Sequence, residues 1–557
     1  MSQNIPPTQY ALQLVGPSQL RLNTAKEVHR PGPHQILARV ECVGLCFSDL
    51  KLLKQFAQHP RKMEILRGLP PEVLAEIPSY VPGDKPTVPG HEATCRIVAV
   101  GEKVARHRVG ERCLVQTDYR ALPTSASNAS FGYNFEGALQ EYVLMDERVV
   151  IDPNTGERFL IPAPEHLSAS SIALVEPWAC VEDSYVNEER RAPRAGGQML
   201  VMADPGRTLD GLAELVREHR PAHMACWCPD EAQREVLRAV HVPKTHGGEP
   251  PPEEAFDDII YFGSDARVIE MLNDRLAARG IMNIVLGGRR IGRPVSVGVG
   301  RVHYGMTRWI GTTGTNAAES YGHIPATGEL RAGERMLVIG AGGPMGQMHV
   351  IRAVCSGTDN LTVVGTDMDD ARLEALRRKA APMAARNGVH LRLVNTQKEP
   401  LAEKFSYFAI MAPVGALVAA AVRDSLPDAI INIFAGIPAP TRQEMDLDAY
   451  IERRCFMFGT SGSVIRDMKI VLAKLESGQL DTDASVDAVS GMAGAVDGMA
   501  AVENRTLAGK IIVYPSLHRL GLVPLSRLGE QLPTVAARLR DGMWCREAEA
   551  ELLRVAQ

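Results

Sequence analysis

The stretch RMLVIGAGGPMGQMHVIRAV, residues 335–354, joins an apolar run to a helical pattern through a glycine-rich turn. RMLVI predicts a buried strand, and QMHVIRAV predicts a helix that opens directly after the turn. Glycines there let the backbone approach a pyrophosphate, which the free N–H groups of the helix N-terminus attract. The stretch therefore predicts a Rossmann-like α/β unit with a dinucleotide cradle formed by Gly340, Gly342, Gly343, Pro344, Met345 and Gly346. The spacing is one residue longer than the usual G-x-G-x-x-G fingerprint.

Asp367 supports the dinucleotide prediction, because it ends the apolar run LTVVGTD 21 residues after Gly346. An acid at this place accepts hydrogen bonds from ribose hydroxyls and repels a 2′-phosphate, which favours NAD over NADP. Arg372 would soften that preference by offering a positive partner to a phosphate. In the alternative interpretation, Asp367 only caps the helix DDARLEALRRKA.

Strands and helices alternate in two copies, which indicates a duplicated Rossmann-like unit. The first copy has the predicted strands QMLVMA (198–203), HMACWC (223–228), DDIIYFG (257–263), GIMNIVLGG (280–288) and RWIGTTG (308–314). The second copy has RMLVIGAGG (335–343), LTVVGTD (361–367), FSYFAIMA (405–412), AIINIFAG (429–436) and FMFGTSG (456–462). A single long sheet split by an insertion is the alternative.

The first copy lacks the glycine fingerprint. Its turn, ADPGRTLDG, keeps Gly206 but places Arg207 where a pyrophosphate needs bare backbone. We expect this copy to bind no dinucleotide and to serve as a scaffold, an oligomer surface or a lid.

Three motifs upstream combine the ligand types of a metal site: Cys46 in GLCFSDL, His91 and Glu92 in PGHEA, and Glu176 in EPWAC. One thiolate, one imidazole and two carboxylates suit zinc, and a site less closed than a structural one leaves room for water or substrate. Cys46 follows the alternating run ILARVECVGL, and His91 precedes the run ATCRIVAVG, so both lie at predicted strand ends. The pattern predicts a catalytic zinc.

These motifs resemble those of the medium-chain dehydrogenase/reductase family, the zinc alcohol dehydrogenases, which read G-x-C-x-[ST]-D, G-H-E and a later Cys or Glu. The matching residues here are Gly44, Cys46, Ser48, Asp49, Gly90, His91, Glu92, Glu176 and Pro177. The Glu-Pro pair is similar to the sorbitol (polyol) dehydrogenase branch. The resemblance covers most of the chain and implies an α/β fold, with a GroES-like β-barrel catalytic domain, two Rossmann-like doubly wound parallel sheets and a closing strand in AGKIIVYP (508–515).

The resemblance also implies residue roles. The expected metal ligands, which would also be the catalytic centre with Ser48, are Cys46 and His91 first, Glu176 next and Glu92 last. Ser48 would relay the alcohol proton, unless it only caps a helix that begins at Asp49. Asp49 would hold a ligand in place. Candidates for binding a multi-hydroxyl substrate, with core packing as the alternative, are Tyr133, Asn134 and Glu136.

Two departures from the family pattern shape further expectations. The closely spaced cysteines of a structural zinc are missing between Cys113 and Tyr142, so one zinc is expected rather than two. An extra segment from LLKQFAQHP to PGDKPTV separates Cys46 from His91, and it is expected to form a lid or a substrate wall. Family habit of pairing the edge strands of nucleotide domains implies a homodimer or homotetramer.

The composition, with 45% hydrophobic and 23% charged residues, is that of a soluble globular enzyme. A net charge of -5 gives no electrostatic reason to expect nucleic acid or anionic membrane as a partner, so a small-molecule substrate is favoured. No signal-peptide pattern and no run of about 20 apolar residues is present, which predicts a cytoplasmic protein. The ten cysteines lack a secreted-scaffold spacing, so reduced thiols are expected.

The expected domains are a catalytic zinc domain over 1–185, a degenerate Rossmann-like domain over 195–320, an NAD-binding Rossmann domain over 330–507, and a return strand with a helical tail over 508–557. The leading hypothesis is a zinc-dependent oxidoreductase that transfers a hydride between NAD and a secondary alcohol or ketone, of polyol or sugar-like kind. The alternatives are an NADPH-preferring reductase of a ketose phosphate and a catalytically silent scaffold for assembly.

Overall fold

A computed structural model describes residues 5–240, 245–247, 254–460 and 462–556. The chain divides into two units: the first runs to Glu182 and resumes at Ser463, and the second is Asp183–Gly462. The second unit is thus inserted between two parts of the first. Within the described residues, no helix is long and apolar enough to span a bilayer.

The amino-terminal part of the first unit is rich in short strands broken by glycine and proline turns. Its strands are β1 (Thr8–Gly16), β2 (Gln19–Glu27), β3 (Gln35–Gly44), β4 (Glu92–Val100), β5 (Arg112–Val115), β6 (Asp118–Pro123), β7 (Asn128–Ser130), β8 (Tyr142–Asp146) and β9 (Leu160–Pro162). Its helices are α1 (Phe47–Gln55), α2 (Pro71–Ala75), α3 (Ala169–Ala173) and α4 (Val175–Val186), the last of which crosses into the second unit.

The described residues of the first α/β copy, in the second unit, form seven strands and five helices. They are β10 (Gln198–Ala203), α5 (Leu212–His219), β11 (His223–Trp227), α6 (Glu231–Ala239), β12 (Thr245–Gly247), β13 (Phe256–Phe262), α7 (Ala266–Asn273), β14 (Leu276–Val285), β15 (Val295–Val297), α8 (Val299–Tyr304), β16 (Arg308–Thr312) and α9 (Ala317–Gly322), with β15 outside the six-stranded sheet.

The second copy repeats this sequence of elements. They are β17 (Arg335–Ile339), α10 (Pro344–Val354), β18 (Thr362–Asp367), α11 (Asp370–Arg386), β19 (His390–Asn395), β20 (Phe405–Ile410), α12 (Gly415–Arg423), β21 (Ser425–Ile433), β22 (Gln443–Met445), α13 (Leu447–Glu452) and β23 (Phe456–Phe458).

The chain then returns to the first unit. The remaining elements are α14 (Ile465–Glu476), β24 (Val486–Ser490), α15 (Ala495–Asn504), β25 (Lys510–Val513), β26 (Val523–Pro524), α16 (Leu528–Gln531), α17 (Pro533–Ala536) and α18 (Arg546–Val555). This differs from the predicted boundary at 508, because β24 pairs in parallel with β25 in the sheet of the first unit, and α15 packs against α1. The predicted nucleotide domain therefore ends about where β23 ends.

Both α/β copies form a six-stranded parallel sheet with the same strand order. The orders are β12-β11-β10-β13-β14-β16 and β19-β18-β17-β20-β21-β23, in each case 3-2-1-4-5-6 within the copy. This is the doubly wound Rossmann order, whose connections reverse between the first and fourth strands. The α/β prediction with two Rossmann-like sheets is thereby confirmed, and the alternative of one long split sheet is wrong.

The sheet of the first unit brings three distant chain segments together. Strand β3 pairs antiparallel with β4, so that Gly44 lies opposite Glu92. On its other side β3 pairs with β25, where Ile512 lies opposite Gly44. Because Cys46 follows β3 and His91 precedes β4, the two ligand motifs meet at one edge of this sheet. Alternating apolar positions bury one face of these strands and hold the register.

Candidate metal centre and dinucleotide cradle

Cys46 lies at the N-terminus of α1, where it is the N-cap residue. The hydroxyl of Ser48, one position inside the helix, lies 3.1 Å from Cys46 Sγ and 3.1 Å from His91 Nε2. Helix α1 begins at Phe47, so Ser48 is not the cap of a helix starting at Asp49, and that alternative is wrong. The structure therefore brings three predicted residues into direct contact.

His91 is oriented by the buried carboxylate of Asp49, whose Oδ1 lies 3.0 Å from His91 Nδ1. Oδ2 of the same carboxylate accepts from the backbone N–H of Cys46 at 3.1 Å. Burial alone would lower the pKa of His91, but the charge and hydrogen bond of Asp49, together with Tyr133 and Cys46, outweigh burial and hold that pKa well above its ordinary value. A carboxylate behind a histidine fixes which ring nitrogen faces a metal. Asp49 thus sits where the sequence predicts it, behind the ligand.

Glu92 is buried and divides its two oxygens between different neighbours. Oε1 accepts from Lys510 Nζ at 2.5 Å. Oε2 has no hydrogen-bond partner among the described residues. Ligand atoms of Cys46, His91 and Glu92 all lie within 4.8 Å of one another.

Glu176, in the first turn of α4, is buried but stands outside this group of three. Burial, with a smaller contribution from the nearby Glu92 charge, raises the pKa of its carboxyl to about 7, against the opposing effects of His91 and Lys510. Glu176 therefore interacts electrostatically with the candidate centre, although it is not one of the three residues whose ligand atoms all lie within 4.8 Å of one another.

The donor set fits a zinc ion. A thiol, an imidazole and a carboxylate oxygen are ligand types that zinc accepts. A buried carboxylate oxygen without a partner costs free energy, and a cation at this place would remove that cost. In that arrangement Cys46, His91 and Glu92 would hold the ion, with Glu176 as the next candidate.

The substrate candidates Tyr133, Asn134 and Glu136 have different surroundings. The Tyr133 ring is buried, with its centroid 5.7 Å from that of His91 and 5.0 Å from that of His59. Asn134 donates to the carbonyl of Met63 and accepts from the N–H of Ser130, so it ties down the extra segment. Glu136 forms a 2.9 Å ion pair with Lys26. Of the three, only Tyr133 is beside the candidate metal centre.

Sequence reasoning missed two charged residues of this region. Lys510 lies in the predicted closing strand, but nothing local in AGKIIVYP marks its side chain as a partner of Glu92. Arg61 belongs to the extra segment: its guanidinium lies 5.5 Å from the Tyr133 ring centroid and 2.8 Å from an Asp118 oxygen. The sequence signal available for Arg61 was its position as a charged residue inside the segment that is predicted to form a lid or a substrate wall.

The glycine-rich turn of the second copy has the geometry of a dinucleotide cradle. Gly340 has a φ of 84°, a conformation that favours glycine. A Cβ on Gly346 would lie 2.1 Å from the Gly340 carbonyl oxygen, so the close packing of helix and turn requires glycine there. Gly343 is the N-cap of α10, and among the described residues no side chain caps that helix. Pro344 and Met345 form its first turn, whose N–H groups are suited to a pyrophosphate.

Asp367 ends β18 beside this cradle, and its Oδ2 accepts from the N–H of Gly342 at 2.9 Å. The N-cap of α11 is Asp369, which accepts from two backbone N–H groups, so the interpretation of Asp367 as the helix cap is wrong. Arg372 lies 3.7 Å from an Asp369 oxygen. These placements leave Asp367 at the strand end where an adenosine ribose binds in Rossmann folds.

In the first copy, the turn after β10 holds an arginine instead of a cradle. Arg207 donates from Nη1 to the carbonyl of Leu286 at 2.6 Å and from Nη2 to Ser264 Oγ at 3.1 Å. Its side chain thus crosses from the end of β10 to the loops after β13 and β14, and it is buried. The Arg207 side chain therefore lies at the carboxyl ends of β10 and β13, between which the strand order reverses. Nucleotides bind at this place in doubly wound sheets.

Comparisons with known proteins agree with the fold. Residues 32–154 match the family described as alcohol dehydrogenase GroES-like domain. The chain is 26% identical over 335 residues to the uncharacterized protein YggP of Escherichia coli strain K12, an alignment covering 54% of this chain and 73% of that protein. It is also 26% identical over 346 residues to L-sorbose 1-phosphate reductase of Klebsiella pneumoniae, covering 56% and 76% of the two chains.

Among solved structures, 2R,3R-butanediol dehydrogenase from Bacillus subtilis is similar, with a TM-score of 0.50 and 14% identity, covering 91% of this chain and 100% of that one. At this identity the likeness concerns the fold. Together with the GroES-like match and the sequence relatives, it confirms the resemblance drawn from the motifs. The chain thus resembles the zinc-type alcohol dehydrogenases of the medium-chain family, and its residues 32–154 match the alcohol dehydrogenase GroES-like domain.

Proposed function

We propose that this protein is a zinc-dependent dehydrogenase that transfers a hydride between NAD and a secondary alcohol or ketone of polyol or sugar-like kind. The observation that carries the proposal is the group of Cys46, His91 and Glu92, in which His91 and Glu92 are buried and one Glu92 oxygen has no partner among the described residues. A silent scaffold has no physical need for such a group, because an unpartnered buried oxygen only destabilises it.

A bound zinc ion would act as a Lewis acid that lowers the pKa of an alcohol and polarises a carbonyl. Cys46, His91 and Glu92 would hold it, and Asp49 would keep the His91 ring in the ligating orientation. Ser48, whose hydroxyl touches both Cys46 and His91, is the candidate for carrying the alcohol proton away from the site. Lys510 would limit the negative charge of the ligand set by pairing with Glu92.

NAD is the proposed cofactor because of the Asp367 carboxylate. It lies at the end of β18 and is hydrogen-bonded to the turn that would hold the pyrophosphate. A negative charge there disfavours a 2′-phosphate. Gly340, Gly342, Gly343 and Gly346 would provide the backbone surface for the dinucleotide, and Arg372 is close enough to the ribose side to modulate the preference.

A second candidate, reduction of a ketose phosphate with NADPH, is favoured by one observation. Arg61 places a partly exposed guanidinium on the face of Tyr133, beside His91, and one of the relatives is a reductase of L-sorbose 1-phosphate. A guanidinium is suited to bind a phosphate. Asp118 already pairs with Arg61, which reduces the positive charge that is available to bind a substrate phosphate.

The test is a panel of alcohols, polyols, sugars and sugar phosphates, followed by the absorbance of NADH and NADPH, with a Cys46→Ser variant in parallel. NAD reduction on polyols that vanishes in the variant is the expected result. Preference for NADPH and a ketose phosphate would replace the first candidate by the second. No turnover of any substrate by protein that contains one zinc per chain would favour the scaffold interpretation.

A further inference from the structure

The two α/β copies are paired with each other through equivalent elements. Strand β15 of the first copy pairs antiparallel with β22 of the second, with Val295 opposite Met445 and Val297 opposite Gln443. Each of these strands follows the fifth sheet strand of its copy and precedes a short helix and the sixth strand. Antiparallel pairing of equivalent strands is what a local two-fold axis produces, and it is the pattern of an isologous dimer.

Details of the backbone repeat as well. Arg279 and Asp428 both have positive φ, 61° and 57°, and each lies four residues before an asparagine in the fifth strand. Met306 and Arg454 have φ of 51° and 53°, each two residues before the sixth strand. Left-handed backbone is uncommon for such residues. Its recurrence at the same offsets shows that the elements on either side of the pairing are true equivalents.

The two copies share a hydrophobic core. One hydrophobic cluster of buried residues draws on both sheets and includes Trp309 of the first copy and Ile451 of the second. The buried Tyr450 hydroxyl donates to the Trp309 carbonyl at 2.8 Å. A Cβ on Gly300, in α8, would lie 2.0 Å from the Pro438 carbonyl oxygen, so the backbones approach closely. Such burial resembles an obligate interface.

The sixth strands β16 and β23, at the ends of the two sheets, contact each other in this region. Arg308 in β16 reaches across to the Gly459 carbonyl, which follows β23, at 3.2 Å. The edge of each sheet at this end is therefore covered by the other copy. An exposed strand edge is a template for pairing with another chain, and here the other copy lies against each edge, with β16 and β23 in contact while they remain in separate sheets.

We propose that the first copy is a built-in partner for the second: it takes the place that an identical nucleotide domain of another chain would occupy, and this edge does not join two chains. The first copy and the domain that it pairs with therefore belong to the same chain. Arg207 agrees with that assignment, because it fills the nucleotide cleft of the first copy while leaving the surface that faces the second copy intact. Covalent linkage makes the pairing independent of protein concentration, since the second domain is always present at high effective concentration.

A disulfide across the pairing tests the proposal in the full chain. Ser296 lies opposite Glu444, and facing residues of paired antiparallel strands have Cα atoms about 4.5–5.5 Å apart, within the range of a disulfide. Ser296 is half-buried and Glu444 is exposed, so both positions tolerate cysteine. We expect the oxidised Ser296→Cys/Glu444→Cys variant to carry a 296–444 bond within one chain, with a mass of 60.6 kDa under non-reducing conditions.

Peptide mapping separates this bond from any formed by the ten native cysteines. Failure of the 296–444 bond to form, or its formation between two chains, would overturn the proposal. An equimolar mixture of the two single variants gives a second measurement, in which we expect no cross-linked pair of chains. A disulfide-linked dimer of roughly twice the chain mass, joined through positions 296 and 444, would contradict the proposal. Neither outcome depends on the metal or on the substrate.

Discussion

Lys510 and Glu92 form an ion pair of 2.5 Å in which both side chains are buried. Burial alone would lower the pKa of Lys510, but the Glu92 carboxylate, together with the nearby Cys46 and Glu176, outweighs that effect and holds the pKa above its ordinary value. The pair joins β25, near the end of the chain, to the start of β4, where His91 and Glu92 lie. Proper folding of the return segment is thus coupled to the candidate metal centre.

Removing one partner of this pair should be costly. We expect Lys510→Met to lower the free energy of unfolding of the metal-free protein by about 3–5 kcal/mol, because it leaves a buried carboxylate without compensation. Urea denaturation measures this. The double variant Lys510→Met/Glu92→Gln should recover most of the loss, since neither position then carries a buried charge that lacks its partner. Equal losses in the single and double variants would show that the charge pairing contributes little.

Cys46→Ser should lower zinc affinity at least tenfold, which corresponds to about 1.4 kcal/mol. The reason is that a thiolate is replaced by an alcohol that stays protonated. Metal content after dialysis and the thiolate charge-transfer band of the cobalt-substituted protein are the measurements. Cys42→Ala, in the same strand region but outside the ligand group, is the control and should keep both. A retained cobalt–thiolate band in Cys46→Ser would argue against Cys46 as a ligand.

Asp367→Asn should change cofactor preference. The amide keeps an acceptor for the Gly342 N–H but removes the negative charge, so we expect weaker NADH binding, stronger NADPH binding and a shift in the ratio of Kd values of roughly tenfold. Fluorescence titration measures both constants. Asp370→Asn is the matched control: Asp370 is exposed and pairs with Lys398, and its loss should leave the ratio unchanged.

Dinucleotide binding should saturate at one NADH per chain, because only the second copy has a cradle and Arg207 fills the other cleft. Gly346→Ala should abolish this binding, since the added Cβ meets the Gly340 oxygen at 2.1 Å. Gly322→Ala, where a Cβ meets nothing within 4 Å, is the control in the first copy. Two equivalents in the parent protein, with one surviving in Gly346→Ala, would show a second site in the first copy.

We expect the free energy of unfolding to decrease as the pH falls below neutral, in part because of His349. This side chain of α10 is fully buried, and burial together with the nearby Arg352 lowers its pKa to about 3. An unfolded histidine titrates near 6.5, so between those values the unfolded state binds the proton and the native state does not. Stability from this group is therefore complete above about pH 6.5 and decreases as the pH falls, by at most about 1.4 kcal/mol per pH unit.

His349→Asn removes that titration while keeping an acceptor for the Tyr185 hydroxyl, which lies 2.8 Å from His349 Nδ1. We expect the variant to show a shallower loss of stability between pH 6.5 and 4 than the parent protein, whatever its stability at neutral pH. Denaturation curves at a series of pH values make the comparison. Parallel curves for the two proteins would mean that His349 titrates normally in the folded state.

Much of the molecule was predictable from local sequence. The strands around RMLVI and QMLVMA follow from continuous apolar runs, and the turn at Gly340–Gly346 follows from its glycines, of which Gly340 has a positive φ and Gly346 leaves no room for a Cβ. The proximity of Cys46 and His91 was predictable because their motifs lie at strand ends, which sheet pairing brings together. In each case the signal lies within a few neighbouring residues.

What only the tertiary structure decided involves residues far apart in the chain. The pairing of Lys510 with Glu92, the position of Arg61 over Tyr133 and the antiparallel contact of β15 with β22 leave no trace in local periodicity. The return to the first unit at Ser463 likewise depends on β24 finding β25. Hydrophobic period and turn chemistry act over one element, whereas ion pairs and sheet edges depend on which elements meet, and that is decided by packing of the whole chain.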